Sequence, residues 1–136
     1  MENTKSTGLI AGRLFLALVF LAGATYNSFV TLKAPATELG RLIDLAPLTV
    51  IRDLANSLVI PHATLFAIGV IIFEVSVAVG FLLPVVIRRR AYVASLAFFV
   101  VLIPLIGWYA LTNLIWAIPA LVLLRKEDPA PAIGAP

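Results

Sequence analysis

The chain has 136 residues, of which 62% are hydrophobic and 12% are charged, with a formal net charge of +3 and a mean hydropathy of +1.08. Soluble domains are about 45–50% apolar and about 25% charged, so the composition excludes disordered, collagen-like and disulfide-rich proteins and argues against a soluble fold. We therefore predict one all-α membrane domain, residues 1–136, whose apolar surface mostly faces lipid.

The first predicted span covers residues 8–30. A membrane-crossing helix needs about 20 apolar residues at a rise of about 1.5 Å per residue, and the only charge in this run is Arg13. An alternative is a cleaved signal peptide, with residues 14–21 as its apolar core and residues 22–24 as its cleavage site. We expect the uncleaved span, because apolar character resumes after the candidate cleavage site.

Residues 31–61 form the long connection between the first two spans, and they have helical periodicity. Thr37 is a candidate N-cap for a first short helix, and Pro47 is a candidate first-turn residue for a second. The two apolar stripes consist of Leu39, Leu42, Ile43 and Ala46, followed by Ile51, Leu54, Ala55, Leu58 and Val59. The pattern predicts two amphipathic helices at the outer membrane surface, serving either as a lid over the bundle or as a docking surface for a partner.

The second predicted span, residues 62–87, contains one acidic residue, Glu74, near the bilayer midplane. A carboxylate there costs roughly 2.5–3.5 kcal/mol on insertion scales, so we expect it to face the bundle interior or to be protonated. A protonated acid can donate a hydrogen bond to a quinone or substrate carbonyl. Alternatively, Glu74 forms an intramembrane polar pair with Arg13 that ties two helices together. Arg13 could instead extend its side chain to the membrane interface.

Residues 91–124 carry no charge, and as one helix they would measure about 51 Å, which is too long for one crossing. A break near Pro104–Gly107 predicts a third span at 89–106 and a fourth at 108–124. The sequence therefore predicts an up-down bundle of four transmembrane helices. The three prolines in residues 128–136 predict an extended tail.

Polar and aromatic residues near the outer ends of the spans predict a pocket. In an up-down bundle, the end of the first span and the start of the fourth lie at the same level. Our candidate quinone or substrate contacts there are Tyr26, Asn27, Asn113 and Trp116. Trp116 lies deepest and has a flat ring suited to stacking on a ring-shaped ligand.

The basic residues predict the orientation of the bundle. Seven of the ten lie on the side of the termini, namely Lys5, Arg13, Arg88, Arg89, Arg90, Arg125 and Lys126. The positive-inside rule therefore predicts a multi-pass protein of the plasma or inner membrane with both termini in the cytoplasm. Contact with anionic lipid head groups explains the remaining positive charge, and nucleic acid is not an expected partner.

The sequence lacks the residue types that most metal and redox sites require. It has no cysteine and a single histidine, His62, which excludes iron–sulfur clusters, cysteine-ligated zinc and a bis-histidine haem site within one chain. We expect no metal site, no cofactor bound by this chain alone and no catalysis by this chain alone. A redox role would require a diffusible molecule, such as a quinone, or a redox centre on a partner.

Two segments resemble a known family. Residues 12–23, in which Arg13 precedes a hydrophobic run ending in small residues, resemble the opening helix of DoxX-like membrane proteins. Residues 69–88, which contain Glu74 and end in arginine, resemble the second helix of that family, and the whole resemblance spans about 9–124. It implies a four-helix membrane protein, in some members a small subunit of a quinone-reducing thiosulfate oxidoreductase or a companion of other redox enzymes. It also implies an intramembrane role for Arg13 and Glu74.

We therefore expect an accessory membrane subunit that anchors or supports a quinone-linked redox or respiratory complex. Glu74 would donate a hydrogen bond in a quinone pocket, and Trp116 would stack on the ring. The alternatives are a small proton-coupled carrier that works as a dimer through Glu74, and a purely structural subunit braced by Arg13 and Glu74. The expected partners are membrane lipids and either other membrane or redox subunits or a second copy of the chain.

Overall fold

The computed structural model describes residues 2–127, with side chains from residue 7 onward, and this part of the chain is helical. The predicted tail at 128–136 lies outside the described residues. The α-helices are α1 (Glu2–Phe29), α2 (Pro35–Ile43), α3 (Thr49–Leu58), α4 (Ala63–Leu82), α5 (Val85–Ile106) and α6 (Trp108–Glu127). Single turns of 3-10 helix at Thr31–Lys33 and Ile60–His62 flank the two short helices.

Four of these helices, α1, α4, α5 and α6, are long and apolar enough to cross a membrane. They form an up-down bundle in which α1 contacts α4, α4 contacts α5, α5 contacts α6, and α6 contacts α1. We call the end that holds the start of α1 the termini side, and the end that holds α2 and α3 the loop side. The prediction of an all-α membrane bundle with short helices in its long connection is confirmed.

The joint between α4 and α5 differs from the prediction. The second span was expected to continue to Ile87, but α4 ends at Leu82 and α5 begins at Val85. Leu83 has an extended backbone (φ −85°, ψ 172°), because Pro84 disfavours helical geometry in the residue before it and then starts the next helix well. The arginines at 88–90, which follow the predicted end of the second span, therefore lie in the first two turns of α5.

The joint between α5 and α6 is a single residue, Gly107. Its φ of 55° lies in the left-handed region, which glycine adopts without steric cost. Pro104 lies inside α5 and does not end it. On the other side of the joint, α6 continues to Glu127, one turn beyond the predicted end of the fourth span.

The connection between α1 and α4 folds over the loop side of the bundle. Thr37 was wrong as the N-cap of α2, because Pro35 occupies the first turn and Ala34 precedes it. The second short helix begins at Thr49 rather than at Pro47, which lies in the turn before it. Both helices are amphipathic and pack against the long helices, α2 against α4 and α5, and α3 against α5.

The main hydrophobic core fills the termini-side half of the bundle. Its aromatic centre consists of Phe20, Phe81, Tyr92 and Phe99, with ring centroids 5.1 Å apart for Phe81 and Tyr92 and 5.7 Å apart for Phe20 with Phe81 and with Phe99. Phe81 and Tyr92 are fully buried. Such aromatic contacts stabilise each pair by about 0.5–1.5 kcal/mol beyond their buried area.

Candidate functional site

A cavity of about 730 Å³ occupies the loop-side half of the bundle. Helices α1, α4, α5 and α6 form its walls, and α2 and α3 cover it. Its lining is mostly apolar and aromatic, with Phe20, Phe98, Phe99 and Trp116 among the residues contributed by the long helices. A mainly apolar cavity of this size, with a few polar groups, is typical of binding sites for small organic molecules.

Glu74 is the buried acid of this cavity, and its side chain lies between α4 and α1. The residue is 8% exposed. The Asn27 side-chain amide donates a hydrogen bond to Glu74 Oε2 at 2.9 Å. The Thr31 hydroxyl in turn donates to Asn27 Oδ1 at 2.8 Å. These three side chains form a connected polar group on the α1–α4 wall of an otherwise apolar space.

Gly23 on α1 makes room for the Glu74 carboxyl. A Cβ atom at position 23 would lie 2.6 Å from Glu74 Oε1, closer than nonbonded carbon and oxygen atoms approach. The carboxyl group therefore packs directly against the backbone of α1. The small residue at this position, one turn before Asn27, fixes the depth at which the acid meets the first helix.

The chemistry open to the Glu74 carboxyl depends on its hydrogen-bond partner, Asn27, which is uncharged. Among the described residues, the polar side chain that Glu74 contacts is the amide of Asn27, and no ion pair there includes Glu74. A buried acid without a cation retains hydrogen-bonding capacity, as donor when protonated and as acceptor when ionised. The arrangement can orient a ligand that carries a carbonyl or hydroxyl group.

The predicted pair of Arg13 and Glu74 is wrong. The Arg13 guanidinium donates to Glu127 Oε1 at 2.8 Å, whereas the Glu74 carboxyl lies against Gly23. Gly23 is ten residues beyond Arg13 on the same helix, a separation of about 15 Å. Helix α4 ends earlier than expected, but the two side chains still lie at different depths.

Glu127 is the residue that the sequence analysis missed. Its carboxylate accepts hydrogen bonds from Arg13 on α1, and from Arg88 and Tyr92 on α5. Arg88 also donates to the carbonyl of Leu83 at 2.9 Å. The signal was present in the sequence, because Glu127 is the first acid after the predicted fourth span. It directly follows two basic residues, and the sequence analysis assigned it no role.

The predicted contact residues come together around the cavity. Tyr26 and Asn27 on α1 line it, as do Asn113 and Trp116 on α6. The sequence analysis did not assign Asn27 as the partner of Glu74, nor Gly23 as the position that admits it. It also missed the contribution of the covering helices, which add Glu38 and its ion-pair partner Arg41, Nη1 to Oε1 3.0 Å, at the loop-side end.

Comparison with family models, with curated proteins and with solved structures finds no match to this chain.

Proposed function

We propose that this protein is an accessory membrane subunit that holds a quinone in the loop-side cavity and supports a quinone-linked redox complex. The observation that carries the proposal is the Glu74 carboxyl, which has a neutral partner and lines a mainly apolar cavity of about 730 Å³ inside a membrane bundle. The DoxX-like resemblance points to the same class of function. The membrane would be the plasma or inner membrane, with the termini in the cytoplasm.

The lining matches the chemistry of a quinone head group. A quinone ring is flat and apolar on its faces and carries carbonyl acceptors at its edges. Trp116 and Phe98 offer flat surfaces, and Glu74 offers a hydrogen-bonding edge. The chain would bind and orient the ring and exclude water from it. Electrons would come from a partner, because the sequence has no cysteine and one histidine.

The alternative of a dimeric proton-coupled carrier finds less support in this geometry. Such a carrier would need Glu74 on a surface that two copies share. Glu74 instead packs against Gly23 within one bundle and is 8% exposed in the single chain. A second copy would have to reach Glu74 through the cavity rather than at a surface that the two copies share.

Tryptophan fluorescence provides a direct test of quinone binding. The chain has two tryptophans, and Trp108 is 85% exposed whereas Trp116 lines the cavity. In a Trp108→Phe background, Trp116 is the sole reporter, and a short-chain quinone should quench it saturably in lipid nanodiscs. The reciprocal Trp116→Phe protein should show only non-saturable quenching. Equal, non-saturable quenching of both proteins would refute quinone binding in the cavity.

Replacement of the acid tests its role within the site. In the same background, Glu74→Leu removes the hydrogen-bonding group at similar side-chain size, and we expect the quinone Kd to rise at least tenfold. That corresponds to about 1.4 kcal/mol, a typical net value for one hydrogen bond. Asp53→Leu, at an exposed acid on α3 outside the cavity, is the control and should leave the Kd unchanged.

A further inference from the structure

The flank between α1 and α6 is closed on the termini side of the bundle. A Cβ atom at Gly12 would lie 3.1 Å from the side chain of Leu123, so the two helices approach closely there. Further along, the rings of Phe15 and Trp116 lie 5.7 Å apart. These contacts seal the first half of the flank against lipid.

On the loop side, residues of the same two helices line the cavity instead of contacting each other. Val19, Ala22 and Tyr26 follow one another at helical spacing on α1, and all three line the cavity. Tyr109 and Asn113 line it from α6. Helices α1 and α6 therefore contact each other on the termini side, whereas on the loop side the cavity lies between them.

Several of these residues also reach the outer surface of the bundle. Tyr26 is 57% exposed and Tyr109 is 56% exposed, although both line the cavity. Ala22, one helical turn before Tyr26 on α1, is exposed as well. A side chain that borders a cavity and is more than half exposed marks an opening. The neighbouring surface is apolar, with Leu18 and Ile115 exposed, so this opening faces hydrocarbon.

The loop-side end of the cavity, by contrast, is formed by the two short helices, and the exposed side chain of Arg41 at this end is charged, so a hydrocarbon tail would not leave the cavity there. Leu39 and Leu42 of α2 and Ala55 of α3 lie over it. The turn between the two short helices packs directly against the backbone of the α5–α6 joint, since a Cβ atom at Gly107 would lie 2.5 Å from the carbonyl oxygen of Leu45. Arg52 also donates to the carbonyl of Ala46 in that turn at 2.9 Å.

We infer that the cavity opens sideways into the bilayer between α1 and α6, so that its ligand enters from the lipid and keeps a hydrocarbon tail in this opening. The ligand class is therefore a membrane-dissolved molecule with a compact polar ring and a long tail. Only the identity of the polar ring, a quinone, rests on the proposed function. The opening itself admits any hydrocarbon chain, including the acyl chain of a phospholipid.

Lipids with brominated acyl chains test the opening without any quinone, because bromine quenches tryptophan on contact. In vesicles of such lipids, Trp116 of the Trp108→Phe protein should be strongly quenched. Ala22→Phe places a large side chain in the opening and should reduce this quenching at least twofold. Ala11→Phe is the matched control, since Ala11 lies on the same face of α1 three helical turns earlier, next to the closed part of the flank, and it should change nothing.

The outcomes separate the inference from the proposed function. Equal quenching in the parent and Ala22→Phe proteins, or no quenching in the parent, would overturn the sideways opening. If the quinone produces no saturable quenching while Ala22→Phe still reduces quenching by brominated lipids, only the quinone proposal is overturned. If Ala22→Phe does not fold, as judged by helical circular dichroism, then Ala22→Leu makes the same test with a smaller side chain.

Discussion

Among the residues with described side chains, each half of the bundle holds one glutamate whose carboxyl is largely withdrawn from solvent, and the two acids have opposite environments. The Glu74 residue is 8% exposed, and the Glu127 side chain is 8% exposed on a residue that is half-buried as a whole. On the termini side, Glu127 accepts from two arginines and a tyrosine and joins three helices. On the loop side, Glu74 accepts from Asn27 and borders a cavity. The comparison indicates that the first acid ties helices together, whereas the second has no charged partner among the described residues and borders the cavity in which we propose that a ligand binds.

Side-chain packing follows the same division. The termini-side half is filled by aromatic contacts among Phe20, Phe81 and Tyr92, whereas the loop-side half contains about 730 Å³ of open space. A cavity of this size forgoes contacts that would otherwise stabilise the bundle. A well-packed, ion-paired half can support a loosely packed half, and that is the arrangement a binding site inside a small protein needs.

The largest expected effect is on the ion-paired acid. Glu127→Gln removes the negative charge that Arg13 and Arg88 share, and it should destabilise the protein by about 1–3 kcal/mol, since breaking a partly buried, hydrogen-bonded ion pair leaves two cations without their counter-charge. The thermal midpoint in detergent, followed by intrinsic tryptophan fluorescence, measures the loss. Glu38→Gln, which removes the exposed pair with Arg41, should cost less than about 1 kcal/mol. Equal losses would contradict the division between the two halves.

The next effect concerns the turn that covers the cavity. Gly107→Ala puts a side chain on a residue with a φ of 55° and against the carbonyl of Leu45. We expect a loss of about 1–3 kcal/mol from backbone strain and overpacking, together with faster proteolysis of the connection at residues 44–48. Gly8→Ala has no atom within 4 Å of the new Cβ and serves as control. A variant that resists protease as well as the parent would show that the contact with Leu45 does not hold the turn.

A smaller effect on stability but a clear effect on binding is expected at Gly23. Gly23→Ala brings a Cβ to 2.6 Å from Glu74 Oε1, so the carboxyl must move away from α1. Quinone affinity should fall about tenfold while stability falls by about 1 kcal/mol. Gly69→Ala, where nothing lies within 4 Å of the added Cβ, is the matched control on α4. If affinity is retained, the position of the Glu74 carboxyl does not set binding.

The smallest expected effect on stability completes the comparison of the two acids. Glu74→Gln keeps the shape and the hydrogen-bonding capacity of the side chain, and no cation loses its partner. We expect a loss of less than about 1 kcal/mol, because Gln can accept the same hydrogen bond from Asn27, measured by the same thermal midpoint as for Glu127→Gln. A loss as large as that of Glu127→Gln would show that Glu74 also stabilises the bundle.

The fold was predictable from the sequence because its determinants are local. Apolar runs of the length of a bilayer predict the four long helices, and helical periodicity in residues 31–61 predicts the two short ones. The end of α4 was not predicted, because Leu83 and Pro84 lie inside an uninterrupted apolar run. Hydropathy reports whether a residue prefers lipid, but it does not report where the backbone turns.

The cavity lining was largely predictable and its pairings were not. Tyr26, Asn27, Asn113 and Trp116 could be placed at one level because helix ends align in an up-down bundle. The choice of Arg13 as the partner of Glu74 is wrong, because Arg13 pairs with Glu127 at a different depth in the bundle. A neutral amide one turn beyond a glycine meets the acid instead, and that depends on helix rotation, which the sequence does not report.

The position of Glu127 has a consequence for biogenesis. Arg13 and Arg88 are synthesised before the carboxylate that pairs with both, which lies in the last turn of α6. Until the ribosome has completed α6, the nascent bundle carries two uncompensated guanidinium groups near the bilayer edge. The three-helix cluster can therefore close only once residue 127 has been synthesised, so assembly of the termini-side half waits for the last turn of α6.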